Sequence, residues 1–91
     1  MTPSHSAEVR IVNRLGMHAR PAALFVRASA RYRSEIYVSR DGVEIHGTSI
    51  MGVMMLAAEH GSTIVIRAAG EDSEDALAAL RSLVANGFGE E

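Results

Sequence analysis

A hairpin signal near the middle of the chain restricts the possible folds more than any other pattern. The segments EIYVS (35–39) and VEIH (43–46) alternate apolar and polar residues, which is typical of strands with one buried face. Asp41-Gly42 lies between them, and an Asp-Gly pair strongly favours a two-residue hairpin turn. The sequence therefore predicts antiparallel pairing between these two segments.

Five further segments complete the order of elements. We expect two more strands, EVRIV (8–12) and STIVIRAA (62–69), and three helices over residues 21–32, 49–61 and 71–88. The order β-α-β-β-α-β-α predicts an α+β, two-layer architecture with one sheet face buried under helices and the other in water. The order alone does not decide which strands are neighbours.

Length and composition limit the class of protein. The 91 residues fit a single domain, 1–91, in which residues 1–7 are expected to form a mobile tail. Without cysteine there are no disulfides, thiol nucleophiles or cysteine zinc sites. No apolar stretch resembles a signal peptide or is long enough to span a membrane.

The charge is unevenly distributed. The net charge of −2 gives no case for nucleic-acid binding, yet all nine basic residues are arginines. Five of them lie between residues 14 and 33. This cluster predicts an acidic partner or a bound anionic group, and a solvated helix face explains it equally well.

His18 is the residue best suited to chemistry. Pro21 is favoured at a first helical position, so we expect a helix to begin there, with His18 and Arg20 just outside it. The free N–H groups and partial positive charge of a helix N-terminus disfavour an imidazolium and favour an anion carried on the ring. Arg20 adds a permanently charged donor for that anion. The site would suit both a neutral nucleophile and its phosphorylated product.

A structural role is the alternative for His18, because a loop histidine can simply cap a helix or pack. The other histidines, at positions 5, 46 and 60, lack the close spacing of metal ligands. The sequence also has no phosphate-binding loop, dinucleotide fingerprint or serine-hydrolase motif. It therefore predicts neither a metal site nor a cofactor.

GMHARPA around His18, followed by SIMGVMML (49–56), resembles the HPr family. These proteins are the histidine-containing phosphocarriers of the phosphoenolpyruvate-dependent phosphotransferase system. The resemblance runs from about Glu8 to Gly87. It implies an open-faced β-sandwich, in which three helices pack on one face of a four-stranded antiparallel sheet. It also implies a cytoplasmic monomer that acts as a stoichiometric carrier and not as an enzyme.

The resemblance assigns roles to particular residues. His18 would accept a phosphoryl group on Nδ1, the pros nitrogen, from enzyme I and pass it to a histidine of an enzyme IIA. Arg20 matches the family arginine that helps to hold the phosphoryl group. Ser49 matches the serine that HPr kinase/phosphorylase modifies in many bacteria, although a serine before an apolar helical run is also a common N-cap.

A docking surface beside His18 is implied as well. Its expected members are Ile50, Met51 and Met54, with Arg27 extending the basic rim. We expect the first three to be partly exposed, and Val53 and Leu56 to be buried. Methionine suits adaptable partner surfaces, but at helical spacing it also fills cores. Arg27 could equally be a solvated helix residue.

Other functions stay open at this point. NRLGMHARPA and the ending ANGFGEE resemble the nitrogen-related, NPr-type branch of the family, whereas SIMGVM resembles members that are phosphorylated on serine. A purely regulatory phospho-switch protein, which binds partners and does not feed sugar uptake, is one alternative. A small hydrolase with His18 as its base is another, but it needs a carboxylate, and none lies near His18 in the sequence.

Overall fold

The structure, a computed structural model, describes residues 2–56 and 59–90. Its strands are β1 (Ser4–Arg10), β2 (Glu35–Arg40), β3 (Val43–His46) and β4 (Thr63–Ala69). Its helices are α1 (Ala19–Ala30), α2 (Ile50–Leu56) and α3 (Ser73–Ala85), followed by a short 3-10 turn at Gly87–Gly89. The strands form one sheet in the order β1-β4-β2-β3, and all neighbours are antiparallel. The predicted α+β open-faced sandwich is confirmed.

The central hairpin forms as predicted. Asp41 and Gly42 connect β2 to β3 with φ angles of 53° and 85°. Positive φ at both central residues is the geometry of a type I′ turn, whose twist matches that of the flanking strands. Arg40 then pairs with Val43, so the turn sets the register of the whole β2–β3 pair.

One face of the sheet forms the core. In β4, Ile64, Ile66 and Ala68 are fully buried, and Phe25 of α1 and Leu80 of α3 are buried in the same cluster. The opposite face is polar. There the guanidinium of Arg67 lies 4.1 Å from the ring centre of Tyr37 and donates to both carboxylate oxygens of Glu44. The division into one buried and one wet face is therefore confirmed.

The N-terminal segment differs from its prediction. Strand β1 begins at Ser4, which pairs with Ala69. The expected mobile tail over residues 1–7 is thus wrong for residues 4–7. His5 Nδ1 also lies 2.9 Å from the hydroxyl of Ser73 on α3. Because β1 is an edge strand, its backbone can pair with β4 even where its side chains are polar and exposed.

Helix α2 is shorter than predicted. It is described over Ile50–Leu56, and residues 59–61 are no longer helical, whereas the sequence suggested a helix to residue 61; Ala57 and Ala58 lie outside the described residues. Gly61 has a positive φ, 87°, and its N–H donates to the carbonyl of Ile11 at 2.8 Å. The chain turns at Glu59–Gly61 because Gly61 and Ser62 both bond to Ile11 beside β1.

Asp72 precedes α3 and is of a residue type that favours an N-cap, which the sequence alone would predict, but its side chain does not cap the helix. Its carboxylate instead accepts hydrogen bonds from the N–H groups of Arg33 and Ser34, each at 2.9 Å, and from the Ser34 hydroxyl. The Ser34 hydroxyl bond is the main reason why the pKa of Asp72 lies below its usual value. The contact fastens the start of α3 to the segment between α1 and β2.

Neither a membrane segment nor a metal site is found in the described part of the chain. No helix within residues 2–56 and 59–90 combines the length and apolar character needed to cross a membrane. The same residues hold no group of three or more His, Cys, Asp or Glu side chains arranged to bind a metal ion.

Candidate functional site

His18 occupies the N-cap position of α1. The helix begins at Ala19, two residues before the predicted start, and the Ala22 N–H donates to the His18 carbonyl at 3.1 Å. Pro21 is therefore the third helical residue. N–H groups in a first helical turn have no intrahelical acceptor, so a proline there sacrifices no hydrogen bond and Arg20 can be helical. The free helix donors nearest His18 are consequently those of Ala19 and Arg20.

The imidazole of His18 contacts a carboxylate and does not cap α1. Its Nε2 lies 3.2 Å from Oε1 and 3.0 Å from Oε2 of Glu90, which follows the turn after α3. The side chains of His18 and Glu90 are 36% and 18% exposed. The alternative in which the His18 side chain caps the helix is therefore wrong. His18 is a partly exposed side chain whose Nε2 contacts Glu90.

Asn13 holds Glu90 in place. Its amide Nδ2 donates to Glu90 Oε1 at 3.0 Å and to the Gly16 carbonyl at 2.6 Å. Asn13 is buried, and Gly16 has a φ of 67°, a left-handed conformation that glycine adopts without strain. The loop before α1 is thus shaped around the amide that orients the carboxylate.

The local charges keep Glu90 ionised. Burial of its carboxyl group raises the pKa, but hydrogen bonds from Asn13 and His18, the positive charge of Arg20 and, whenever the ring is protonated, that of His18 act against burial. Together they hold the pKa of Glu90 below its usual value. Arg20, exposed on the first turn of α1, thus contributes positive charge to the same group of side chains.

Ser49 lies at the start of α2, which packs against α1. The Gly52 N–H donates to the Ser49 hydroxyl at 3.2 Å, so the predicted N-cap is confirmed. Ser49 is exposed. Within the described residues, no hydrogen bond joins it to His18.

The expected docking residues on α2 differ in exposure. Ile50 and Met51 are exposed, Met51 by 64%, whereas Met54 is half-buried against the core. Val53 is buried as expected, but Leu56 is only half-buried. Met55, for which the sequence suggested only a possible place in the core, is 78% exposed and lies one turn after Met51.

Arg27 is exposed on α1 and also borders a surface that faces α3. With Arg31 it lines an open groove between α1 and α3, whose apolar walls are Leu24, Ala28 and Leu83. The basic residues of α1 therefore border two faces, one toward His18 and one toward α3.

Sequence reasoning also missed Glu90 and Asn13. The two contacts with Glu90 span 72 residues to His18 and 77 to Asn13, which no local pattern reveals. The available signal was local: Asn86-Gly87 is typical of a helix end, and an apolar residue such as Phe88 after it can fold back onto the last turn. Phe88 is indeed buried, and the chain after it turns toward His18. The carboxylate that the hydrolase alternative required is thus present beside His18, although it comes from a distant part of the chain.

Comparison with known proteins gives a consistent family. A family model described as "PTS HPr component phosphorylation site" matches residues 5–86. The chain is 47% identical to phosphocarrier protein HPr of Treponema pallidum over 83 residues, which are 91% of this chain and 94% of the relative. It is 43% identical to that of Cupriavidus necator over 83 residues, 91% of this chain and 93% of the relative.

Solved structures agree with the sequence match. The fold superposes on a crystal structure of HPr from Thermoanaerobacter tengcongensis with a TM-score of 0.90 and 40% identity. The match covers 96% of this chain and 98% of that one. The chain therefore belongs to the HPr family of phosphocarrier proteins of the phosphotransferase system.

Proposed function

We propose that His18 accepts a phosphoryl group on Nδ1 from phosphorylated enzyme I and passes it to a histidine of an enzyme IIA. The observation that carries this proposal is the position of His18, a half-exposed side chain at the N-terminus of α1 beside Arg20. The protein would act as a stoichiometric carrier, since the histidine itself is modified and must be discharged. We place this relay in the cytoplasm.

The transfer step needs little from the protein beyond orientation and positive charge. The Nδ1 lone pair attacks the phosphorus, an N–P bond forms, and the bond between phosphorus and the donor breaks. The negative charge is spread over three phosphoryl oxygens, which Arg20 and the free N–H groups of Ala19 and Arg20 can bind. Because His18 is at the surface, both donor and acceptor proteins can reach it.

Incubation with phosphoenolpyruvate and enzyme I tests the proposal. We expect one acid-labile phosphoryl group per chain in the intact protein and none in His18→Ala. His60→Ala, which removes another exposed histidine, should accept the group normally. The proposal is lost if no adduct forms or if His18→Ala still accepts one. Discharge of the phosphorylated protein by sugar-type and nitrogen-type enzyme IIA domains then assigns the branch.

We further propose that Ser49 is a regulatory acceptor for HPr kinase/phosphorylase. Its exposure and its place at the start of α2 support this role, because a phosphate at a helix N-terminus is tolerated. The added charge would lie on the helix that bears Met51 and would oppose an acidic partner surface. Treatment with ATP and the kinase should give an acid-stable adduct that Ser49→Ala cannot form, whereas Thr48→Ala still forms it.

Enzyme I and enzyme IIA are expected to dock on the exposed part of α2 and the adjacent arginines of α1. Ile50 and Met51 offer the apolar centre, with Met54 beneath them, and Arg20 and Arg27 offer the charged rim. Binding should be weak and should weaken further with salt, because a carrier must release its partners quickly and its rim charges are screened.

A further inference from the structure

We propose that Glu90 is a positioning residue for phosphoryl transfer: its carboxylate keeps the proton of His18 on Nε2 and so leaves Nδ1 as the nucleophile. This inference rests on the proposed function of His18. Glu90 lies beyond residues 5–86, the part of the chain that matches the family model. The inference gives Glu90 a role, whereas the proposed relay itself involves only His18 and Arg20.

The choice of nitrogen follows from the chemistry of the contact. An ionised carboxylate can only accept hydrogen bonds, so a ring nitrogen 3.0 Å from Glu90 Oε2 must carry a hydrogen. In a neutral imidazole the other nitrogen then holds the lone pair. No hydrogen bond reaches Nδ1 from any residue that the structure describes, so that lone pair is free to attack phosphorus.

The carboxylate also serves the phosphorylated state. When Nδ1 bonds to phosphorus and Nε2 keeps its proton, the ring becomes positively charged, and the Glu90 carboxylate is its counter-ion. When the N–P bond breaks toward the next acceptor, the ring leaves as a neutral imidazole because the Nε2 proton stayed in place. Without that proton the leaving group would be an imidazolate, which is far more basic and leaves more slowly.

Asn13 makes the arrangement specific. Its buried amide donates to Glu90 Oε1, while Nε2 of His18 lies nearer to the other oxygen, Oε2, at 3.0 Å, than to Oε1, at 3.2 Å. This is the same logic by which carboxylates fix the tautomer of histidines that bind metals, where loss of the partner costs about 10- to 100-fold in affinity or activity. Since His18 is half-exposed, we expect loss of the Glu90 carboxylate to slow phosphoryl transfer by about 10-fold, the lower end of that range.

Two substitutions separate the carboxylate from the rest of the side chain. Glu90→Gln keeps the shape, but an amide can donate as well as accept and so no longer dictates which nitrogen carries the proton. Glu90→Ala removes the contact. Glu71→Gln is the matched control: it makes the same charge change beyond the end of β4, whereas the loop to His18 leaves the opposite end of the β1–β4 pair.

Two measurements test the inference on the intact chain. The first is nitrogen-15 NMR of the unphosphorylated neutral imidazole, in which we expect hydrogen on Nε2 alone in the original protein and in Glu71→Gln. Both Glu90 variants should populate the two tautomers. The second is rapid-quench transfer from phosphorylated enzyme I, which should be roughly 10-fold slower in both Glu90 variants and unchanged in Glu71→Gln.

The inference is overturned if the Glu90 variants keep the Nε2–H tautomer, whether or not their transfer slows. It is also overturned if their tautomers mix but transfer stays within twofold of the original rate. Failure of the proposed function looks different: His18 of the original protein would then accept no phosphoryl group. The tautomer measurement needs no phosphorylation and would still report whether Glu90 directs the ring proton.

Discussion

Phe88 anchors the turn that carries Glu90 to His18, and replacing it tests how the site is assembled. The side chain is 7% exposed and belongs to the core cluster, yet its φ of 58° is in the left-handed region that favours glycine. Loss of a buried phenylalanine costs about 3–5 kcal/mol in the free energy of unfolding. Because Phe88 lies at the edge of the core, we expect about 3 kcal/mol for Phe88→Ala.

The backbone conformation adds a second, opposing effect. A non-glycine residue in the left-handed region costs roughly 1–2 kcal/mol, and alanine at position 88 retains that cost. Glycine removes it but loses more entropy on folding, by about 0.5–1 kcal/mol relative to alanine. Phe88→Gly should therefore be about 0.5–1 kcal/mol more stable than Phe88→Ala, the reverse of the order in a helix or strand.

Urea unfolding of the two variants and the original protein measures both differences. Transfer from enzyme I, measured at a temperature at which every variant is folded, should slow in both because Glu90 is no longer held beside His18. The reasoning fails if Phe88→Ala costs less than about 1 kcal/mol, since the side chain would then not anchor the turn. It also fails if Phe88→Gly is less stable than Phe88→Ala.

Three further outcomes follow from single contacts. The Ser34 hydroxyl and nearby N–H groups lower the pKa of folded Asp72, so its stabilisation is present above the ordinary carboxyl pKa and is lost as the pH falls through the lowered value. Urea unfolding of Asp72→Asn at several pH values should therefore show a smaller loss of stability in acid than the original protein shows. Ser49→Ala should cost about 1 kcal/mol in thermal unfolding, whereas Ser49→Asp retains a capping oxygen and most of the stability. Met51→Asp should slow transfer from enzyme I by roughly 10-fold with the fold intact, while Val43→Asp, a matched change at an exposed residue of β3, leaves the rate unchanged.

Elements governed by neighbouring residues could be predicted from the sequence. The Asp41-Gly42 turn, the Ser49 cap and the fold-back at Phe88 each depend on a few adjacent residues, and all three are present. The start of α1 was misplaced because the rule for residues before proline is statistical. In the first helical turn, Pro21 displaces no hydrogen bond, so the helix extends back to Ala19.

Elements governed by distant partners could not be predicted. Residues 4–7 have no apolar alternation and become a strand only because β4 provides a pairing edge. Asp72 is a favourable capping residue by its type, yet its carboxylate bonds to Ser34 across 38 residues. Glu90 is the clearest case, since one acidic residue after a helix carries no local signal that it will contact a histidine.

One part of the candidate site is positioned by neighbouring residues in the sequence and the other by tertiary contacts, and the two parts pack against each other. His18, Arg20 and Pro21 are placed by the start of α1, whereas Glu90 is placed by the turn after α3. Gly87 of that turn lies against Asn13, where an added Cβ would stand 3.6 Å from the Asn13 Cβ. The amide that holds the carboxylate and the turn that delivers it therefore pack as one unit. Because α3 packs against β1 and β4, the carboxylate reaches Nε2 only once the last helix has closed on the sheet.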